Sequence, residues 1–233
     1  MRVRPKVRHI VMAAAFFCTA LFPRCANQVA PQGGPMDSLP PVVRSVTPTG
    51  GRNFTARSID IAFDEYVQLR DLAKEFYTSP LMNTKPTVTI RGRGVRIEIK
   101  DTLADNTTYS LNFGGAIADN NEGNPLTDFR YVFSTGPAMD SLLVTGYTAG
   151  AMKGDSISKA FVYFFDAATD TIPEYDSVVF NQRPLQVGRT QNNGIFIAQN
   201  LREMPYKVYA LADNNGNNRY DPGTDMIGFL DSV

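Results

Sequence analysis

Residues 103–135 constrain this chain more than any other stretch. A polar turn, Asp105-Asn106-Thr107, leads into Tyr109, Leu111 and Phe113 at every second position. A loop rich in Gly, Asn and Asp follows, and Tyr131 and Phe133 resume the alternation. Successive side chains on a strand point to opposite faces. Two period-two runs separated by turn formers therefore describe antiparallel strands with one buried face. Leu103, Thr107 and Tyr109 add a spacing of their own. A Tyr near the start of a late sandwich strand can turn its hydroxyl back onto the preceding loop backbone and fasten a corner. Tyr109 fits that role, and fits equally an ordinary aromatic on a half-buried strand. Either way the stretch reads as β-sandwich.

The rest of the chain follows suit. Residues 42–46 lead to the turn Pro48-Thr49-Gly50-Gly51, and Ile59, Ile61 and Phe63 alternate with polar or small residues. Residues 67–76 are the least strand-like and predict a helical turn or a crossing loop. Residues 87–90 and 95–99 predict a hairpin around Gly92-Arg93-Gly94, since Gly supplies the positive φ of a tight turn. About seven strands result, the number of an immunoglobulin-like sandwich, over residues 41–137. Thr135-Gly136-Pro137 marks a boundary. After it come Leu142, Val144 and Gly146, the apolar run 160–165, and residues 187–190 and 195–197 flanking Asn192-Asn193-Gly194, a strong hairpin signal. Tyr206, Val208, Tyr209 and Leu211 give a further strand. Residues 138–233 read as a second sandwich, whose last run, 226–230, stops three residues before the chain does. The expectation is an all-β chain of two tandem sandwiches, the second shorter than its architecture intends. At 233 residues there is room for both cores.

The N-terminus reads as an address. Arg2, Arg4, Lys6 and Arg8 precede a short apolar run at 10–21, the pattern of a secretory signal peptide and too short to span a bilayer comfortably. Residues 1–24 are assigned to that signal and 25–40, rich in Pro and Gly, to a flexible tether. Cys25 is the candidate for lipidation, although Phe22-Pro23-Arg24 departs from the small residues expected before a lipidated Cys. Cys18 competes with it after an equally poor Phe16-Phe17, and the alternative to both is an ordinary secreted protein with an incidental Cys. An acyl anchor would hold the chain at a membrane without spanning it. Five of the 23 basic residues and none of the 23 acidic ones precede Cys25, so the remainder carries 18 basic against 23 acidic residues. That acidic body argues against nucleic acid as a partner. The single His is His9, inside the leader, and Cys18 lies there too. A mature chain would have no imidazole and no intrachain disulfide, which removes Ser-His-Asp triads, Cys-His pairs and the usual zinc sites.

The sharpest candidate site is the loop from Asp213 to Asp225. Asp213, Asn215, Asn217 and Asp221 follow positions 1, 3, 5 and 9 of a calcium loop. The Arg219 carbonyl and Asp225 could complete the oxygen shell. Asn218 stands where the sharp-turn Gly belongs and Thr224 where the closing Glu belongs. Calcium and a solvated Asn/Asp turn are the two readings. Residues 119–124 form a similar loop with poorer spacing, better read as a turn. Asp64 and Glu65 are adjacent on a strand and point to opposite faces, so they would not share one substrate. Tyr66, Phe76, Tyr77 and Tyr220 could line a sugar-stacking surface, although strand aromatics are more often core.

Several separated segments together resemble the Bacteroidetes Ig-like domain-containing lipoproteins of the cell envelope. They are Cys25-Ala26-Asn27 with Gly33-Gly34-Pro35, residues 63–69, Asn106-Thr107-Thr108-Tyr109, residues 118–126, residues 133–136, and Asp213 to Asp221. The resemblance implies a lipidated Cys25, a bacterial S-layer-type Ig-like domain, and a second domain similar to transthyretin-like or carboxypeptidase-regulatory-like sandwiches. It carries no defined activity. The functional expectation is an exported, non-enzymatic lipoprotein, periplasmic or on the outer membrane. It would act as an interaction, adhesion or spacer module on an envelope protein or glycan, without a cofactor other than calcium at 213–225. The alternative is a carbohydrate-binding accessory of a glycan-uptake system.

Overall fold

The computed structural model describes residues 33–168, 183–217 and 220–229. The leader and Cys25 lie outside them. The first strands are β1 (Val43–Thr47), β2 (Ser58–Phe63), β3 (Val67–Leu69), β4 (Tyr77–Ser79), β5 (Thr87–Ile90) and β6 (Gly94–Glu98). They are followed by β7 (Thr108–Asn112), β8 (Ile117–Asp119) and β9 (Arg130–Ser134). One helical turn, α1 (Leu72–Glu75), lies between β3 and β4. The strands form a four-stranded sheet β1-β2-β6-β5, a three-stranded sheet β4-β7-β9 and a ribbon β3-β8, with every pairing antiparallel. Ile59, Ile61 and Phe63 of β2 and Val95 and Ile97 of β6 share one core with Leu111, Phe113 and Phe133. Burying each such side chain is worth about 1.5–3 kcal/mol, so the alternation itself selects the face.

The corner reading of Tyr109 holds: its hydroxyl accepts a hydrogen bond from the Ala104 backbone N–H at 2.9 Å, while its ring stacks on Phe133. The predicted β5–β6 hairpin is present, closed by Arg91 N–H donating to Gly94 O. Gly94 is required there, since a Cβ would lie 2.2 Å from the Ile61 carbonyl oxygen. The stretch 67–76 holds a strand as well as the helical turn. Val67 is buried, and its strand pairs with β8.

The later strands are β10 (Leu142–Tyr147), β11 (Phe161–Asp166), β12 (Gln186–Arg189), β13 (Ile195–Leu201), β14 (Tyr206–Ala212) and β15 (Met226–Phe229). They make a sheet β12-β11-β14-β15 and a ribbon β10-β13. Val162 and Phe164 of β11 pack with Phe196, Ala198 and Leu201 of β13. The other face of β11, Tyr163 and Phe165, packs with Val187, Tyr209 and Leu211, and there Tyr77 and Leu81 from the earlier strands join. With both faces covered, β11 needs a continuous apolar run instead of an alternating one. Asn192-Asn193-Gly194 does make a tight turn, with Gly194 at φ +79° and Gln191 N–H donating to Ile195 O. Beyond a single bridge, Thr190 to Phe196, the strands part: β12 joins β11 and β13 joins β10. Val187 and Phe196 belong to cores on opposite faces of β11, and burial therefore overrides ladder pairing. No helix among the described residues is long and apolar enough to cross a membrane.

The described residues from Ser38 onward form one compact unit. The junction between the earlier and later strands is polar and buried. Ser79 Oγ donates to Gln186 Oε1 at 2.5 Å and accepts from the Val187 N–H at 2.7 Å. Gln186 Nε2 donates to the Thr108 carbonyl.

Candidate functional site

In the Asp213–Asp225 loop, the structure brings the described candidates together. Asp213 Oδ1 accepts from the N–H groups of Asn215 and Gly216, and Asn215 Oδ1 from that of Asn217. Asp225, at the edge of burial, ties the loop shut by accepting from the N–H of Asn214 through Oδ1 and of Asp221 through Oδ2. The amides of Asn215 and Asn217 both donate to Asp221 Oδ2 at 2.6 Å. A half-turn of the Asn217 amide about its Cβ–Cγ bond would present Oδ1 at the same place, whereas the same turn of Asn215 would give up its bond from the Asn217 N–H. Arg219 lies outside the described residues. Among those described, no group of three or more His, Cys, Asp or Glu side chains is suited to hold a metal ion. A cation would therefore depend on the amide oxygens as much as on the carboxylates. Nearby, the buried Tyr163 hydroxyl has no hydrogen-bond partner. Burial pushes its pKa up, and the negative charges of Asp213 and Asp225 add to the rise.

The 119–124 loop behaves as a turn. The buried Asp119 carboxylate accepts from four backbone N–H groups, those of Asn121, Glu122 and Gly123 through Oδ1 and of Asn124 through Oδ2. Burial raises its pKa, but these bonds outweigh that and hold it below the ordinary carboxylate value. Asp64 is likewise engaged in structure, accepting from the Val42 N–H and pairing with Arg44. The four aromatics do not form a platform. Phe76 is in the core, Tyr77 and Tyr220 pack against the second cluster, and the exposed Tyr66 lies under Arg93.

A feature without any sequence signal is a cleft of about 830 Å³ between residues 73–85 of the earlier strands and the Phe161 end of β11 with residues 213–217. Lys74, Lys85, Lys159, Arg183 and Arg189 border it, against one acid, Asp213. Arg189 Nη1 donates to Glu75 Oε2 at 3.1 Å, and the guanidinium lies over the Phe161 ring. Its buried Nε–H has no partner. Lys85 donates to the Ala73 carbonyl, and burial, then the charge of Arg189, push its pKa down. Burial pushes the Tyr77 hydroxyl up to about 12. These cations are scattered over more than a hundred residues of sequence, and only the folded junction assembles them.

Comparison with curated proteins returned no match. Among solved structures, the chain is similar to the N-terminal part of the bacterial S-layer protein SbsC, with 15% identity and a TM-score of 0.28. That similarity covers 83% of this chain and 45% of the other, so the chain spans less than half the length of the protein it matches. Residues 37–135, which carry β1 to β9 and the Tyr109 corner, match the family described as bacterial Ig-like domain.

Proposed function

We propose that this chain is an exported, non-enzymatic lipoprotein of the bacterial cell envelope. It is anchored through Cys25 and presents tandem β-sandwiches as an interaction, adhesion or spacer module. The observation that carries this reading is the bacterial Ig-like match over residues 37–135, joined to the basic and apolar leader that ends near Cys25. The hydrogen-bonded junction at Ser79 and Gln186 supports the spacer role, because a rigid elbow holds a binding surface at a set distance from its anchor. Metabolic labelling with palmitate tests the anchor. Label should enter the wild type and not Cys25→Ala; equal labelling of both, or none of either, rejects it.

A second reading, a carbohydrate-binding accessory of a glycan-uptake system, is favoured by the cleft at that junction. In both readings the Asp213–Asp225 loop is assigned to calcium, with Asp213, Asn215, Asn217, the Arg219 carbonyl, Asp221 and Asp225 as ligands. Convergence of two side-chain amides on Asp221 Oδ2 and the orphaned Tyr163 hydroxyl support this assignment. A glycan array with and without chelator separates the readings: saturable, chelator-sensitive binding selects the second.

A further inference from the structure

We propose that the cleft at the junction binds an anionic saccharide; this rests on the carbohydrate-binding reading and names its ligand class. Three observations converge. The first is charge. Five cationic side chains and one acidic one border the cleft, in a chain whose portion from Cys25 onward has more acids than bases. Among the described residues, Lys74, Lys159 and Arg183 enter no ion pair. A concave site lined by one sign of charge concentrates ligands of the other.

The second is the orphaned donor. Arg189 spends Nη1 on Glu75 and leaves a buried Nε–H unanswered. A buried donor without a partner is costly and calls for an acceptor. That Nε–H is itself out of solvent's reach, so a carboxylate or phosphate oxygen in the cleft, the strongest acceptor for a guanidinium, meets the need once the Arg189 side chain shifts toward it.

The third is shape. The volume, about 830 Å³, falls in the range of roughly 300–1,000 Å³ typical of small-ligand sites. Half-buried Leu81, Met82 and Phe161 line the cleft together with the exposed Asn83 and Asn214. A sugar ring has an apolar C–H face and a rim of hydroxyls, and suits such a mixed lining. An acidic peptide would dock by adding a strand to the β12 edge. That edge is already engaged at Val187, whose N–H Ser79 Oγ accepts.

The test is calorimetric titration of the full chain at low and high salt. Oligogalacturonate probes the carboxylate source, a phosphorylated mannose oligosaccharide the phosphate source, and the matching neutral oligosaccharides and polyglutamate serve as comparisons. Saturable binding of either anionic saccharide, absent for its neutral counterpart and weakened by salt, is expected. Lys74→Gln with Lys159→Gln, both exposed positions, should weaken it about tenfold by removing two charge-assisted contacts, with the melting temperature unchanged. Equal binding of neutral sugars overturns the anionic assignment and leaves the carbohydrate reading standing. No binding of any saccharide overturns both. Polyglutamate binding as tightly as oligogalacturonate assigns the cleft to acidic peptides and overturns the proposal.

Discussion

Tyr109 shows how a single hydroxyl organises a loop. Its oxygen receives the Ala104 N–H five residues upstream, and its ring stacks on Phe133 in the core. Tyr109→Phe keeps the ring and removes the acceptor. The expected loss is about 1 kcal/mol, read as a fall in Tm of roughly 2–4 °C for a unit of this size. Asp119 makes a different prediction, in pH. Its carboxyl is held below the ordinary value by four backbone N–H groups that outweigh its burial. A depressed folded pKa gives stability that is fully present above the unfolded value, about 3.9, and is lost as pH falls through the folded value. Asp119→Asn should therefore be less stable than wild type at pH 7. The gap should narrow steadily in Tm measurements taken below about pH 4. Asp60, whose carboxyl is also depressed, chiefly by its hydrogen bond to Arg96, gives both proteins a shared acid-sensitive background.

Elements were legible where one face is buried and hidden where two are. Alternation at Ile59, Ile61 and Phe63 locates β2 because polar neighbours mark the solvent side. The run at β11 shows that a strand is fully buried without saying what covers each face. The turn at Asn192-Asn193-Gly194 was legible because those residues accept left-handed backbone, yet the pairing beyond it was not. Pairing depends on which core Val187 and Phe196 reach, a matter of distant residues. The loop of Asp213 to Asp225 was legible as spacing, and the fold does bring the Asn215 and Asn217 amides onto Asp221. Calcium binding there should raise Tm. The gain is RT ln(1 + [Ca]/Kd), about 2.7 kcal/mol at a free concentration a hundred times Kd. Chelator should reverse the shift, and Asp221→Ala should abolish it. A Tm indifferent to millimolar calcium returns the loop to a plain turn.

At the scale of the molecule, what matters is that the earlier and later strands share packed and hydrogen-bonded groups. Tyr77 and Leu81 enter the second cluster, Tyr77 meets Phe161 edge-on, and Arg202 reaches the Asn106 carbonyl. None of this could be read in one sequence. Ser79 and Gln186 are 107 residues apart, each an unremarkable polar residue in a strand, and no periodicity couples them. The same ignorance hid the cleft, which exists only because the junction is fixed. Ser79→Ala tests that fixity. It leaves the Val187 N–H and the Gln186 side-chain oxygen buried without their partner, and each such loss costs about 1–3 kcal/mol. The cost falls on the junction and spares both cores. Scanning calorimetry of the wild type should therefore show one transition, and Ser79→Ala should separate it into two. Two transitions in the wild type would mean that the sandwiches melt independently, and the rigid elbow on which both the spacer role and the cleft depend would be lost.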